Sequence, residues 1–482
     1  MAHRAVNPPA TGASLTIPAR LWQQLHAHLF PGDHAAHAGV LLAGWTEGPR
    51  GLRLLARELI PARDHIDYQP GTTGHHALAA AFVRDNILRA RDENLAYIPV
   101  HNHGGTTRVR FSPTDLASHE RGYPSLTQIS NTPVCGLVLT PQAAAGDLWY
   151  PDGTRTDLAE VVIPANNLLR LRPQSAATSA ADTSDTSYDR QVRIFGELGQ
   201  QTFQAMRVAV IGLGGVGNLI TEYLARLGIG HLVLVDDDLV DETNLPRLAG
   251  ATTDDVGHPK TALASRLAHQ AQPTITVTPL TERVEQPHVQ AELRHCDWLF
   301  LAADGAAARH FTNAAVQQYL IPATQAGVKI PVRDGTVGQI HAVTRLLLPG
   351  TGCLWCDGLI NPTDLAIDMH APADRAAAHY VPGTPAASVL PLNALAAAEA
   401  VSHFMHAVSC LHDDDLDQAS VLHRPRTRTR DLINSRAHPN CRWCASQEQF
   451  ALGDRPPTWR PADRAVPRTE AIHQACGSWK IL

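Results

Sequence analysis

The chain has 482 residues, enough for two or three domains, and 44% of them are hydrophobic against 18% charged, the balance of a globular protein with a sizeable core. A formal net charge of −6, from 40 basic and 46 acidic residues with no long basic run, argues against nucleic-acid binding. No apolar stretch reaches the length of a membrane span, and Met1-Ala2-His3-Arg4 does not open a signal peptide, so no membrane contact and a cytoplasmic location are expected.

Residues 1 to about 13 read as disordered. From Leu15 an amphipathic helix is expected, with Leu21, Leu25 and Leu29 on one face, then strands over 39–44 and 52–60. A helix over 77–91 precedes the apolar run 95–100, which leads into His101-Asn102-His103. Residues 134–139 and 148–150 read as further strands. The segment 173–187, PQSAATSAADTSDTS, is poor in large apolar residues and reads as a linker. It separates a unit over 14–172 from one over 188–450, followed by a tail over 451–482. Beyond about 411 the chain is rich in Arg, Asp and Pro and is expected to be mostly loops.

The second unit begins with Val208 to Ile211, a buried strand, followed at once by the glycine-rich turn Gly212, Gly214, Gly215 and Gly217. A helical pattern (Leu219, Ile220, Tyr223, Leu224, Leu227) and a second apolar run, 231–235, complete a βαβ unit. Such a turn lets backbone N–H groups approach a phosphate, and Asp236 after the second strand suits ribose hydroxyls. Alone, the turn fits a dinucleotide enzyme as well as an ATP user. Arg190 upstream, Asn244 and Arg247 after the second strand, Lys260, and Asp304 after the run 298–301 favour a triphosphate, because hydride transfer has no use for three cations around a nucleotide. Asp237, Asp238 and Asp241 read as solvated loop carboxylates, and Arg309 as a helix-surface arginine.

Two further constellations carry chemistry. His101 and His103, with Ser112 and Asp115, give HxH and SxxD after a buried strand: two imidazoles and a carboxylate for a zinc ion whose fourth position is open to water. Cys353 and Cys356, with Cys441 and Cys444, form CxxC…CxxC, a closed four-thiolate structural zinc site.

Residues 188 to about 410 resemble the adenylating domain of the ThiF/MoeB and ubiquitin-activating-enzyme family, matched in order through RQ, GxGGxG, DxD, NxxR, a lysine and DxxxxR over Asp304 to Arg309. Residues 14–172 resemble the JAB/JAMM (MPN) isopeptidases. The fold class expected is α/β: a Rossmann-like adenylation domain behind an α/β JAB/MPN-like domain. The resemblance implies ATP, Mg²⁺ and Zn²⁺. It also implies a homodimer in which Arg190 reaches the neighbouring subunit's nucleotide, a ubiquitin-like protein ending in glycine, and a ubiquitin-conjugating-type enzyme. Arg247 and Lys260 would neutralise the phosphates, Asn244 orient the reacting groups, Asp304 hold Mg²⁺, and Ser112 steady an oxyanion.

Three departures from the isopeptidase pattern stand out. Gly104 replaces the usual proline, the spacer is one residue longer, and Ala36 stands where that family has its general-base glutamate. An alanine cannot deprotonate zinc-bound water. The domain is then a natural pseudo-isopeptidase, an inactivated enzyme, or a docking module. In the activating domain the segment 357–393 contains no cysteine. The adenylate passes to an external nucleophile, or Thr384 or Ser388 accepts the acyl group as an oxyester, or Cys410 or Cys476 does. Activation of a sulfur carrier for cofactor or cysteine biosynthesis is the alternative to ubiquitin-like conjugation.

Overall fold

The computed structural model describes residues 7–33, 35–69, 77–174, 186–370, 386–415, 417, 419–445 and 448–454. Its amino-terminal unit runs β1 (Ala13–Thr16), α1 (Ala19–Leu29), β2 (Ala38–Gly48), β3 (Gly51–Pro61), α2 (Ala80–Asp92), β4 (Ala96–Asn102), α3 (Pro113–Ser130), β5 (Val134–Thr140), β6 (Ala143–Trp149), β7 (Arg155–Pro164) and β8 (Leu168–Leu171). The strand order is β1-β3-β2-β4-β5-β6-β7-β8, and β1 also pairs with β7, so seven strands close on themselves. Alternation along the strands sorts two cores. Leu41, Leu54, Ile98 and Leu137 pack with Leu21, Leu25 and Leu29 of α1. Val40, Leu42, Tyr97 and Val134 point the other way, against Ile87 of α2 and Tyr123 of α3.

The second unit runs α4 (Asp189–Ala205), β9 (Arg207–Ile211), α5 (Gly215–Leu227), β10 (His231–Val235), α6 (Lys260–Ala271), β11 (Thr276–Leu280), α7 (Pro287–Leu293), β12 (Trp298–Leu301), α8 (Ala306–Tyr319) and β13 (Ala323–Lys329). The small hairpin β14 (Val332–Arg333) and β15 (Thr336–Val337) follows, then β16 (His341–Leu347), α9 (Pro362–Asp368), α10 (Leu390–Val408), β17 (Ser420–Arg424) and β18 (Thr429–Ile433). Its sheet has the order β11-β10-β9-β12-β13-β16-β17-β18. The first five strands are parallel and the last three antiparallel. Both faces are covered, as a parallel sheet requires: Val208, Val210 and Leu234 face α5 and α10, while Ala209, Ile211 and Val235 face α7 and α8.

Three expectations change. Leu15 lies in β1, not in a helix. Asn7 is buried, with its amide donating to Arg170 O at 3.0 Å, so the ordered chain starts before residue 13. Residues 420–433 form the hairpin β17–β18 at the sheet edge rather than loops.

The two units touch through half-buried and buried contacts. The Arg50 guanidinium donates to both oxygens of Asp297, at 2.7 and 2.9 Å. Gly453 bridges to Trp45 of β2, and its neighbour Ala451 donates to Gln317 O of α8 at 2.9 Å. Among the described residues no helix is long and apolar enough to cross a membrane.

Candidate functional site

The chain leaves β9 towards β10 on one side and returns to β12 on the other. The carboxyl ends of β9 and β12 therefore flank a topological switch point, where open α/β sheets bind ligands. The turn of Gly212 to Gly217 starts there. Gly212 has φ +87°, and a Cβ on it would stand 2.7 Å from Ala303 N, so the position requires glycine. A Cβ on Gly217 would run into Gly212 O, and one on Gly215 into Asn393 Nδ2, with Arg247 O at 3.1 Å. Gly214 alone meets nothing within 4 Å. Close packing of the chain on itself thus explains Gly212, Gly215 and Gly217. Gly214 marks the face left open to a ligand.

Asp236 follows β10 directly. Its two oxygens accept from Leu213 N at 2.6 Å and from Asp238 N at 2.9 Å, which ties the end of β10 to the glycine turn. Burial pushes its pKa above the ordinary carboxylate value, with the Lys260 charge and these hydrogen bonds opposing. Lys260, the first residue of α6, donates from Nζ to Asp238 Oδ2 at 2.6 Å and lies 3.9 Å from Asp236 Oδ1. Asp238 is thus an exposed loop carboxylate, as expected, that also serves as the partner of Lys260. No local pattern announces that pairing: it depends on Lys260 N reaching Asp238 O across 22 residues, at 3.0 Å.

Asn244 is buried, and its carbonyl accepts from Arg247 N at 2.9 Å, so the two residues share one turn. Asp304 is exposed after β12, and Arg190 is exposed on the first turn of α4. Arg309 donates to Leu359 O at 3.1 Å, a structural contact. Asn393 of α10, which the sequence does not single out, packs on Gly215 and donates to Ser388 Oγ at 3.0 Å. Ser388 thereby sits close to the start of α5. Thr384 and Cys476 lie outside the described residues. Cys410 is half-buried, with its Sγ 3.9 Å from Leu168 O.

Cys353, Cys356, Cys441 and Cys444 converge, their sulfurs all within 4.8 Å of one another. Three of the separations are 3.5, 3.6 and 3.7 Å. Tetrahedral zinc with Zn–S near 2.3 Å requires about 3.8 Å between sulfurs, so the donor set fits the metal. His438 N donates to Cys356 Sγ at 3.3 Å, the kind of outer hydrogen bond that orients a thiolate ligand.

In the amino-terminal unit, His101 and His103 at the end of β4 present their Nε2 atoms 3.1 Å apart, and those atoms lie 3.6 and 3.3 Å from Asp115 oxygens. These spacings also suit a tetrahedral metal with ligands near 2 Å. Burial alone would raise the pKa of Asp115, but hydrogen bonds from His101, His103 and Ser112 hold it well below the carboxylate range. Ser112 caps α3: its hydroxyl donates to Asp115 Oδ2 at 2.7 Å and accepts from Asp115 N at 3.1 Å. Asn102, between the histidines, accepts from His37 N at 2.6 Å and donates to Ala35 O at 3.3 Å. That clasp holds the segment 35–37, with Ala36 at its centre, against Asn102.

Fold and site together define a nucleotide-binding α/β domain carrying a four-cysteine knuckle, joined to a closed-sheet unit with a His-His-Asp cluster. Residues 188–443 match the model of the ThiF family. The chain belongs to the ThiF family. It is similar to the SAMP-activating enzyme E1 of Haloferax volcanii, 31% identical over 33% of this chain and 56% of that protein. It is 34% identical to the sulfur carrier protein ThiS adenylyltransferase of Escherichia coli, over 33% of this chain and 62% of that one. It is 33% identical to the adenylyltransferase and sulfurtransferase UBA4 of Yarrowia lipolytica, over 29% of this chain and 35% of that one. The chain thus spans between about a third and three fifths of the curated relatives it matches.

Proposed function

We propose that the chain uses ATP to adenylate the C-terminal carboxylate of a small carrier protein of the sulfur-carrier or ubiquitin-like class. The observation that carries this reading is the meeting of the Gly212–Gly217 turn, Asp236 and Lys260 at the carboxyl ends of β9 and β10, in a chain of the ThiF family. The relatives' names weigh towards sulfur transfer, since one activates a sulfur carrier and another is also a sulfurtransferase. Sulfur-carrier activation is therefore put first. Ubiquitin-like conjugation, with a conjugating-type enzyme as a further partner, comes second.

In the reaction a carboxylate oxygen of the carrier attacks the α-phosphorus of ATP. The bond from that phosphorus to the bridging oxygen breaks, and pyrophosphate leaves. Backbone N–H groups at the open face of Gly214 take phosphate oxygens, and Asp236 accepts ribose hydroxyls. Arg247 and Lys260 neutralise the charge that develops on the leaving pyrophosphate, for which Lys260 exchanges Asp238 for phosphate. Asn244 orients the reacting groups from the same turn as Arg247. Asp304 would hold the Mg²⁺ that accompanies ATP. Arg190, exposed on α4, would reach the nucleotide of a second subunit, and the proposed working species is a homodimer. The four cysteines would hold a structural Zn²⁺ that pins the carboxyl-terminal segment to the sheet.

The adenylate is handed to an external nucleophile. Ser388, whose Oγ accepts from Asn393 beside Gly215, is the alternative acceptor, as an oxyester. In the amino-terminal unit His101, His103 and Asp115 would hold a second Zn²⁺, but Ala36 supplies no base and Ser112 is occupied as a helix cap. The reading there is a JAB-like docking unit without peptidase turnover. Ala36→Glu should leave carrier binding intact, and cleavage of a carrier fusion by that variant would instead mark an inactivated peptidase.

The test is to incubate the chain with ATP, Mg²⁺ and either a sulfur carrier or a ubiquitin-like protein, then trap with hydroxylamine. A carrier hydroxamate that requires ATP and the carrier's terminal glycine is expected. No hydroxamate and no pyrophosphate with either class overturns the reading.

A further inference from the structure

A cavity of about 90 Å³ lies between the units, where β1, β3 and β7 meet the segment just before β12. By the measure in which one water needs about 10–15 Å³, it has room for a group of several heavy atoms. Its lining carries four guanidinium groups, Arg50, Arg53, Arg170 and Arg294, against two carboxylates, Glu160 and Asp297.

Both carboxylates are already committed, and Arg294 pairs with a third, Asp454, at 2.8 Å. Asp297 takes both arms of Arg50 and also accepts from Arg207 N at 2.8 Å. Glu160 accepts from Arg170 at 2.6 Å and from Arg172 at 3.2 Å. Arg53 has no carboxylate within ion-pair distance among the described residues, and its one side-chain hydrogen bond there goes to the neutral Arg294 O, at 2.8 Å. Burial pulls its pKa down to about 10, against the pull of Asp297 and Asp454. Even a half-buried cation without its own counterion is costly to desolvate. The donors agree with the charges. Thr46 Oγ1 and the Nε atoms of Arg53, Arg170 and Arg294 are buried without a partner among the described residues, and all four residues line this one cavity.

We propose that the cavity binds a small tetrahedral oxyanion, phosphate or sulfate, as the counterion of Arg53 and a clamp between the two units. Guanidinium groups match such oxyanions with directed, charge-assisted hydrogen bonds, and Thr46 adds a neutral donor. Because the site draws residues from both units, the anion binds only while they are docked.

The test is the melting temperature of the full chain in sodium phosphate, sodium sulfate or sodium chloride at matched ionic strength. Phosphate or sulfate should raise it by roughly 2 °C over chloride, and saturably. Arg53→Met should abolish the rise. Thr46→Val, which removes a hydroxyl with no partner to lose, should raise the half-saturating concentration severalfold. Arg247→Ala should keep the full response, which separates this cavity from phosphate taken up by the nucleotide turn. A response to both dianions supports a site that reads charge and shape, and a response to phosphate alone supports one that also uses its P–OH. Equal melting in all three salts overturns the proposal, as does an unchanged response in Arg53→Met or a response lost in Arg247→Ala. If Arg53→Met does not fold, an unmoved half-saturation in Thr46→Val overturns it.

Discussion

Asn393, in the first turn of α10, occupies the place a side chain on Gly215 would need, and from there donates to Ser388 Oγ at 3.0 Å. One asparagine therefore joins the nucleotide turn to the end of the segment 357–393, where an acyl acceptor is sought. Gly217→Ala would drive a methyl into Gly212 O, a backbone atom, and is expected to cost more than about 2 kcal/mol. Gly214→Ala meets open space, so its stability should stay within about 0.5 kcal/mol of the parent while ATP binding weakens. Denaturant melts and nucleotide titration of the two variants check this. Equal destabilisation of both would contradict the assignment of the open face.

Lys260→Met should lower carrier-dependent pyrophosphate exchange by about 10²–10³, the usual cost of removing one donor from a site of developing charge. Asp238→Asn should relieve the competition for Nζ and lower the ATP concentration needed for half-maximal rate. If Asp238→Asn behaves like Lys260→Met, the ion pair orders the site rather than competing with phosphate. Steady-state exchange rates against ATP concentration separate the two.

The cysteine site makes a metal prediction. Purified protein should carry a zinc ion that a strong chelator removes slowly, and Cys441→Ser should lower the melting temperature and loosen the segment 441–454 to proteolysis. His101→Ala, in the other cluster, should leave that zinc in place. Metal analysis of the two variants decides it.

Acid should weaken the docking of the units through His403. Burial pulls its pKa down to about 3, with the charges of His412 and His406 adding to the effect, while its Nε2 lies 2.9 Å from Asn166 Oδ1 across the junction. An unfolded histidine titrates near 6.5, so between about 6.5 and 3 the unfolded chain binds the extra proton. Stability from neutral His403 is then complete above about pH 6.5 and is lost progressively as pH falls. Melting temperature should drop between pH 7 and 5, and His403→Gln should flatten that slope. An unchanged slope in the variant would remove His403 from the account.

Much of this was legible in the sequence, and for identifiable reasons. The strand 208–211, the glycine turn and Asp236 are consecutive, so periodicity and one motif suffice to set them at a strand end. The histidine pair and the cysteine pairs carry their chemistry in short spacings, and the fold brings each set together. What local pattern could not reveal depends on pairing across long separations. Residues 420–424 and 429–433 are short, and they become strands by pairing with each other and, for the first, with the distant β16. Gly453 against Trp45 and Asp297 against Arg50 join units that a composition-based boundary divides. Gly215 looks like a phosphate-binding glycine, yet Asn393 and Arg247 O already account for its missing side chain.

The most direct test of adenylation is exchange of labelled pyrophosphate into ATP by the full chain with Mg²⁺ and a carrier protein, with and without the carrier's terminal glycine. Exchange that requires the intact carrier terminus, and that falls by about 10² or more in Lys260→Met, is the result this account predicts. Exchange that is indifferent to the carrier terminus, or no exchange with sulfur carriers and ubiquitin-like proteins alike while ATP still binds, would contradict it.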